Sequence, residues 1–98
     1  MITSKQRSYL RGLAQSIDAT VFIGKNGLTD NVIKEIETGL ECRELIKVKI
    51  QEGSELKPKD ICNSVAERVG AEPVQTIGRK FILYRESKDN KTIELPRK

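Results

Sequence analysis

Histidine and tryptophan are absent from this chain, and cysteine occurs only twice, at Cys42 and Cys62. Each shortage removes a class of chemistry. Without histidine there is no imidazole base to activate a serine or cysteine nucleophile. Two cysteines far apart and in no CxxC pair cannot supply the roughly four ligands of a Cys/His zinc site. They are expected as free thiols in a reducing compartment rather than as a disulfide. No apolar run approaches the ~18 residues needed to span a bilayer, and the opening stretch MITSKQRSYL has no apolar core of a secretory signal. The expected location is the cytoplasm. Neither GxxxxGK[ST] nor GxGxxG is found. The paired carboxylates Glu35 and Glu37 fall on a solvated helix face. The expectation is a protein that is not an enzyme and has no cofactor, metal, small-molecule substrate or membrane partner.

What is present is charge. One-third of the 98 residues are charged and 37% are apolar, the balance of a soluble globular chain with one core, here taken as a single domain over 1–98. The net charge is +4 with a pI near 9.2, which suggests an anionic partner. The charge is also sided along the chain. Residues 1–29 hold Lys5, Arg7, Arg11 and Lys25 against Asp18 alone, and residues 78–85 hold Arg79, Lys80 and Arg85 with no acid. Residues 34–44 run the other way, with Glu35, Glu37, Glu41 and Glu44 against Lys34 and Arg43. The surface is sided only if the two basic segments meet in space.

Periodicity places these residues. Thr3 or Ser4 can cap a first helix carrying Leu10, Leu13, Ala14 and Ile17 at helical spacing. Val21 to Ile23 reads as a short buried strand. Thr29 caps a second helix with the stripe Val32, Ile33, Ile36 and Leu40. In ELIKVKI, Ile46, Val48 and Ile50 alternate with Lys47 and Lys49, so this strand buries one face. A polar loop, QEGSELKPKD, leads to a third helix that Pro58 opens and Gly70 stops. Val74 to Ile77 and Lys80 to Arg85 form a hairpin around Gly78 and Arg79. Residues 86–98 read as a frayed tail in which TIEL can add a short extended piece. The order α-β-α-β-α-β-β implies a small α/β sandwich with a four-stranded mixed sheet.

The stretch VFIGKNGLT sets GKNG between a strand and a helix. Two glycines let an anion approach the backbone, a helix N-terminus presents N–H groups, Lys25 adds a point charge and Asn26 adds donors. GxxG loops grip nucleotides in this way in KH domains. The same glycines also suit a tight strand-to-helix turn needing φ > 0, and the loop alone does not decide. Lys47 and Lys49 can be a solvated sheet face or a binding one; Arg79 and Lys80 can serve solubility or binding at a hairpin tip. Phe81 reads as core, and Tyr84 is a candidate base-stacking ring.

LRGLA (10–14), VFIGKNGLT (21–29), ELIKVKI (44–50) and IGRKFILYR (77–85), in this order and spacing, resemble the CRM domain of chloroplast RNA splicing and ribosome maturation proteins, most of all its stand-alone bacterial form, the YhbY proteins. The resemblance covers about residues 3–85. It implies a fold similar to the C-terminal domain of bacterial translation initiation factor 3, and an RNA-binding protein that associates with ribosomal RNA in precursors of the large ribosomal subunit. The family's GxxG loop carries over onto Gly24, Lys25, Asn26 and Gly27. Arg11, Lys47, Lys49, Arg79, Lys80 and Arg85 are assigned to its basic surface. The alternative is a protein-interaction module of the translation apparatus that docks an acidic partner through the same basic face.

Overall fold

The computed structural model describes residues 2–53 and 55–96. Position 54 of the expected polar loop and positions 97–98 of the expected tail lie outside the described residues. The elements follow the order α1 (Ser4–Ala14), β1 (Ala19–Ile23), α2 (Asp30–Arg43), β2 (Leu45–Ile50), α3 (Pro58–Val69), β3 (Glu72–Ile77) and β4 (Lys80–Tyr84).

Local chemistry sets the helix ends. Thr3 caps α1 in a capping box, its hydroxyl accepting from the Gln6 N–H while the Gln6 side chain accepts from the Thr3 N–H. The Thr29 hydroxyl caps α2 by accepting from the Val32 N–H at 3.2 Å. Pro58 opens α3, and Gly70 closes it in the left-handed conformation, φ 68°.

The four strands form one mixed sheet in the order β1-β2-β4-β3. β1 pairs with β2 in parallel through α2, whereas β4 runs antiparallel to both β2 and β3. β4 therefore fills the gap that the α3 connection leaves between β2 and β3.

One face of the sheet carries the main core. Val21, Ile23, Ile46, Val48, Ile50, Phe81 and Leu83 pack there with Ile33, Ile36 and Leu40 of α2 and Cys62, Val65, Ala66 and Val69 of α3. The predicted stripe of the second helix and the core position of Phe81 agree with this. Burying such side chains contributes about 1.5–3 kcal/mol each. On the opposite face Leu10 and Ala14 of α1 cover Leu45, Val74, Ile82 and Tyr84 in a second, smaller cluster. β2 is therefore covered on both faces at its start, not on one face throughout as its alternation suggests. Tyr84 lies in this cluster, only 5% exposed, and so offers no stacking ring.

The C-terminal segment departs from the expectation of a frayed tail. Residues 86–96 hold no helix or strand, yet they are pinned to the body. Glu44 follows α2 with φ 66°, a left-handed conformation that costs a non-glycine residue energy. Its carboxylate is fully buried. It accepts the N–H groups of Ser87 (2.8 Å), Thr92 (2.6 Å) and Ile93 (2.8 Å). Glu41 accepts the Ser87 hydroxyl and the Lys88 and Asp89 N–H groups. Further along, the Gln6 side chain donates to Pro96 O, and Ile93 and Leu95 pack on the smaller cluster. TIEL thus adds apolar cover rather than a strand.

Burial works to raise the Glu44 pKa, but the tail N–H groups and the Thr92 hydroxyl outweigh it and hold the carboxyl below its ordinary value of 4.5. A depressed carboxyl contributes stability above that ordinary value and loses it as pH falls through the lower folded value. Amide protection at Ser87, Thr92 and Ile93, measured by hydrogen exchange, should therefore hold at neutral pH and be lost as pH falls below the ordinary carboxyl value of 4.5. Glu44→Ala removes the shared acceptor of three N–H groups. It should cost about 2 kcal/mol or more in a denaturant melt at pH 7.

Candidate nucleic-acid interface

The GKNG stretch is a tight turn closed by a hydrogen bond from the Gly27 N–H to Gly24 O at 3.1 Å. Gly27 sits at φ 68°, so glycine is required there for backbone reasons. Gly24 does not have positive φ; a Cβ built there would lie 3.3 Å from Gln51 Oε1, the far end of a flexible side chain. Lys25 and Asn26 form the exposed tip. Leu28 then folds back against the main core and Thr29 begins the cap of α2. At the helix N-terminus the Thr29 cap takes the Val32 N–H, and Asp30, paired with Arg68 at 3.6 Å, adds negative charge in the first turn.

The loop is tied to the hairpin through one residue. The Gln51 N–H donates to Ile23 O at 2.8 Å, and the Arg79 guanidinium donates to Gln51 O at 3.0 Å. The Ile50 N–H also donates to Arg79 O at 2.7 Å. Lys25 of the first basic segment and Arg79 and Lys80 of the second are therefore brought to one end of the sheet, whereas Arg7 donates to Pro73 O and Arg85 to Val69 O elsewhere.

Strand register builds a surface beside that loop. Phe22 pairs with Lys49, Lys49 with Lys80, and Lys80 with Ile77. Directly paired residues on neighbouring strands project to the same face. The four therefore form a row across all four strands, on the face opposite α2 and α3. α1 covers the other end of that face and leaves this end open: Phe22 is 61% and Ile77 57% exposed. The acidic α2 lies behind the sheet.

Not every predicted basic residue joins this surface. The Lys47 ammonium is half-buried and donates to Ile17 O at 2.8 Å, just past the end of α1, where a cation suits the carbonyl end of a helix. Arg85 donates to Val69 O at 2.9 Å and lies 3.9 Å from Glu41, so it joins the ends of α2 and α3 on the other side of the sheet. Both charges thus have partners within the fold and lie outside the row beside the loop. Arg11 is exposed on α1, on the same side of the sheet as the row, but no contact joins it to the loop. Gly24, Lys25, Asn26, Gly27, Lys49, Arg79 and Lys80 are brought together. Phe22 was missed, because three consecutive apolar letters conceal which one points away from the core.

Among the described residues there is no group of three or more metal-ligating side chains, and no helix long and apolar enough to cross a membrane. Both cysteines are free thiols. Burial pushes the Cys62 thiol up, against a hydrogen bond with Thr76, which makes it a poor nucleophile.

The model of the CRS1 / YhbY (CRM) domain matches residues 2–85. The chain belongs to the CRM domain family. Within that family it is 43% identical over 96 residues to a Bacillus subtilis (strain 168) protein named "Probable RNA-binding protein YqeI", covering 98% of this chain and 100% of the relative. A Haemophilus influenzae protein named "RNA-binding protein" is 42% identical over 97 residues, covering 99% and 97%. The solution structure of the Staphylococcus aureus protein SAV1595 superposes with a TM-score of 0.83 at 47% identity, over 98% of this chain and 100% of that one. The CRM fold of this chain is thereby shared with a structure solved by experiment.

The two loop glycines should separate in stability measurements. Gly27→Ala, forced to φ 68°, should cost about 1–2 kcal/mol in thermal or denaturant melts. Gly24→Ala should stay within about 1 kcal/mol of the parent, because the Gln51 side chain can yield and the unfolded chain loses freedom.

Proposed function

We propose that this protein is a non-enzymatic RNA-binding factor of the cytoplasm that associates with ribosomal RNA in precursors of the large ribosomal subunit during their assembly. The observation that carries RNA binding is the convergence of Lys25, Lys49, Arg79 and Lys80 with a glycine turn at one end of the sheet. The names of the bacterial relatives support it. The finer assignment to large-subunit precursors rests on the family resemblance of the sequence.

The chemistry is that of a phosphate clamp. Positive side chains neutralise backbone phosphates and release counterions, so affinity is largely independent of sequence and falls with salt. The turn offers close approach at Gly24 and Gly27, and Lys25 is the mobile charge at its tip. Lys49 and Lys80 extend the positive field along the sheet, while the carboxylates of α2 lie behind it.

Lys25 is exposed, so Lys25→Ala should change folding stability by no more than about 0.5 kcal/mol. It should weaken binding to RNAs of unrelated sequence and reduce the magnitude of the salt slope by about 0.7, one phosphate on a single strand. Wild-type affinity and slope in the folded variant would leave the loop as a turn only. In a cell lysate the protein should sediment with large-subunit precursors and leave them after RNase treatment. Retention on one acidic protein after RNase would instead support a protein-docking module.

A further inference from the structure

Phe22 needs an explanation that the phosphate clamp does not supply. A phenylalanine on an edge strand with 61% of its surface in water forgoes the burial that its neighbours Val21 and Ile23 obtain at 3% and 0% exposure. Ile77, on the opposite edge strand, is exposed to a similar degree. Phe22, Ile77 and Tyr9 are the exposed large hydrophobic residues among those described, and Phe22 and Ile77 lie at the two ends of one cross-strand row. Between them stand Lys49 and Lys80. With strands about 4.8 Å apart, the row is roughly 14 Å long.

Alternation of this kind fits one occupant. An apolar ring and an aliphatic side chain can take the faces of bases, and the intervening ammonium groups can take the phosphates that link them. A protein partner docking on apolar surface alone would gain nothing from two lysines in the centre of the patch. The cores of protein interfaces are depleted in lysine. An RNA duplex cannot use the ring, because its bases are already stacked inside the helix and its surface is read by shape and by 2′-OH and phosphate contacts. Four-stranded sheets of the RRM type use aromatic residues on the sheet face to stack two or three unpaired bases.

Position relative to the loop strengthens the assignment. Phe22 is two residues from Gly24, and a cleft of about 530 Å³ lies between them, lined by Phe22, Ile23, Gly24, Lys49, Gln51 and Glu52. Its size falls within the ~300–1,000 Å³ of sites that enclose small ligands. Among the described residues, Glu52 is the one acid on its wall, which it shares with Lys49; Glu52 also lines a neighbouring cleft with Lys25.

We propose that the open end of the sheet, Phe22, Lys49, Lys80 and Ile77, is a stacking platform for two or three unpaired RNA nucleotides whose backbone continues into the Gly24–Gly27 turn. This rests on the RNA-binding reading and makes it more specific: the protein selects single-stranded over paired RNA. Phe22 carries the stacking of one base, and Ile77 supports a second at the other edge. Lys49 and Lys80 hold the phosphates between them.

The test measures affinity for poly(U) and for a poly(A)·poly(U) duplex across a salt series, with Phe22→Ala, Phe22→Leu, Phe22→Tyr and Lys25→Ala. Thermal melts confirm that each variant is folded; Phe22→Leu keeps the apolar bulk if Phe22→Ala is impaired. Phe22→Ala and Phe22→Leu should bind poly(U) roughly ten- to a hundredfold more weakly, with the salt slope and the duplex affinity unchanged. Phe22→Tyr should bind as the parent does, because it keeps the ring. Lys25→Ala should weaken both RNAs and change the slope. Quenching of a 2-aminopurine base placed in a single strand should accompany binding of the parent and be lost in Phe22→Ala. If Phe22→Ala and Phe22→Leu bind poly(U) as the parent does while Lys25→Ala still changes the slope, the platform is overturned and RNA binding stands. If the parent binds neither RNA, the RNA-binding reading falls and the platform falls with it.

Discussion

β2 is hydrogen-bonded on both sides, parallel to β1 and antiparallel to β4, and the rest of the molecule depends on that double pairing. Its Ile46, Val48 and Ile50 point into the main core, where α2 and α3 cover them. Its Leu45, Lys47 and Lys49 point the other way and meet three different environments in succession. Leu45 is buried under α1, Lys47 reaches Ile17 O in the loop after that helix, and Lys49 stands in the open row. A slip of one residue in this register would exchange core for surface along the whole strand and dismantle both the core and the row. The candidate site is thus a consequence of sheet register, not an addition to a finished fold.

The charge of the molecule divides by task. Within the acidic stretch 34–44, the buried Glu44 and the half-buried Glu41 serve as acceptors for the backbone of residues 87–93, while Glu35 and Glu37 stay exposed on α2 behind the sheet. Glu44 in particular satisfies three N–H groups with one buried carboxylate, a use that justifies its left-handed backbone. Arg85 sits on the same side and links α3 to α2. Near the loop, Arg79 ties the hairpin to Gln51 O, and Lys25, Lys49 and Lys80 stand beside it. They meet on the opposite face because Gln51 joins the end of β1 to the Arg79 hairpin.

Much of the architecture was legible from local signals. The Thr29 cap, Pro58 at the start of α3 and Gly70 at its end lie in the chain as short-range patterns and act where they were read; the first helix, read on to Ile17 with its cap open between Thr3 and Ser4, is capped by Thr3 and ends at Ala14. The GKNG loop was legible as a glycine turn with a basic tip. The roles of Lys47, Arg85 and Tyr84 were not. In sequence an exposed lysine and one aimed at a loop carbonyl 30 residues away look the same. Tyr84 could be placed in the core only once α1 was seen to lie over its face of β4. The tail was hidden for a related reason: its order comes from acceptors in the last turn of α2 and just after it, more than 40 residues earlier, and not from any periodicity of its own.

By itself the sequence determined the order of the elements, their caps, the core stripes, the glycine turn and the excess of positive charge. These follow from neighbours within a few residues, where backbone preference and hydrophobic period act directly. Tertiary structure alone decided which charges stay free for a partner and which hold the fold, and it alone aligned Phe22, Lys49, Lys80 and Ile77. Those four residues come from four strands scattered over more than half the chain. Only the hydrogen-bonded register of the sheet brings such residues side by side, and only the placement of α1 over the other end of that face leaves them open to solvent.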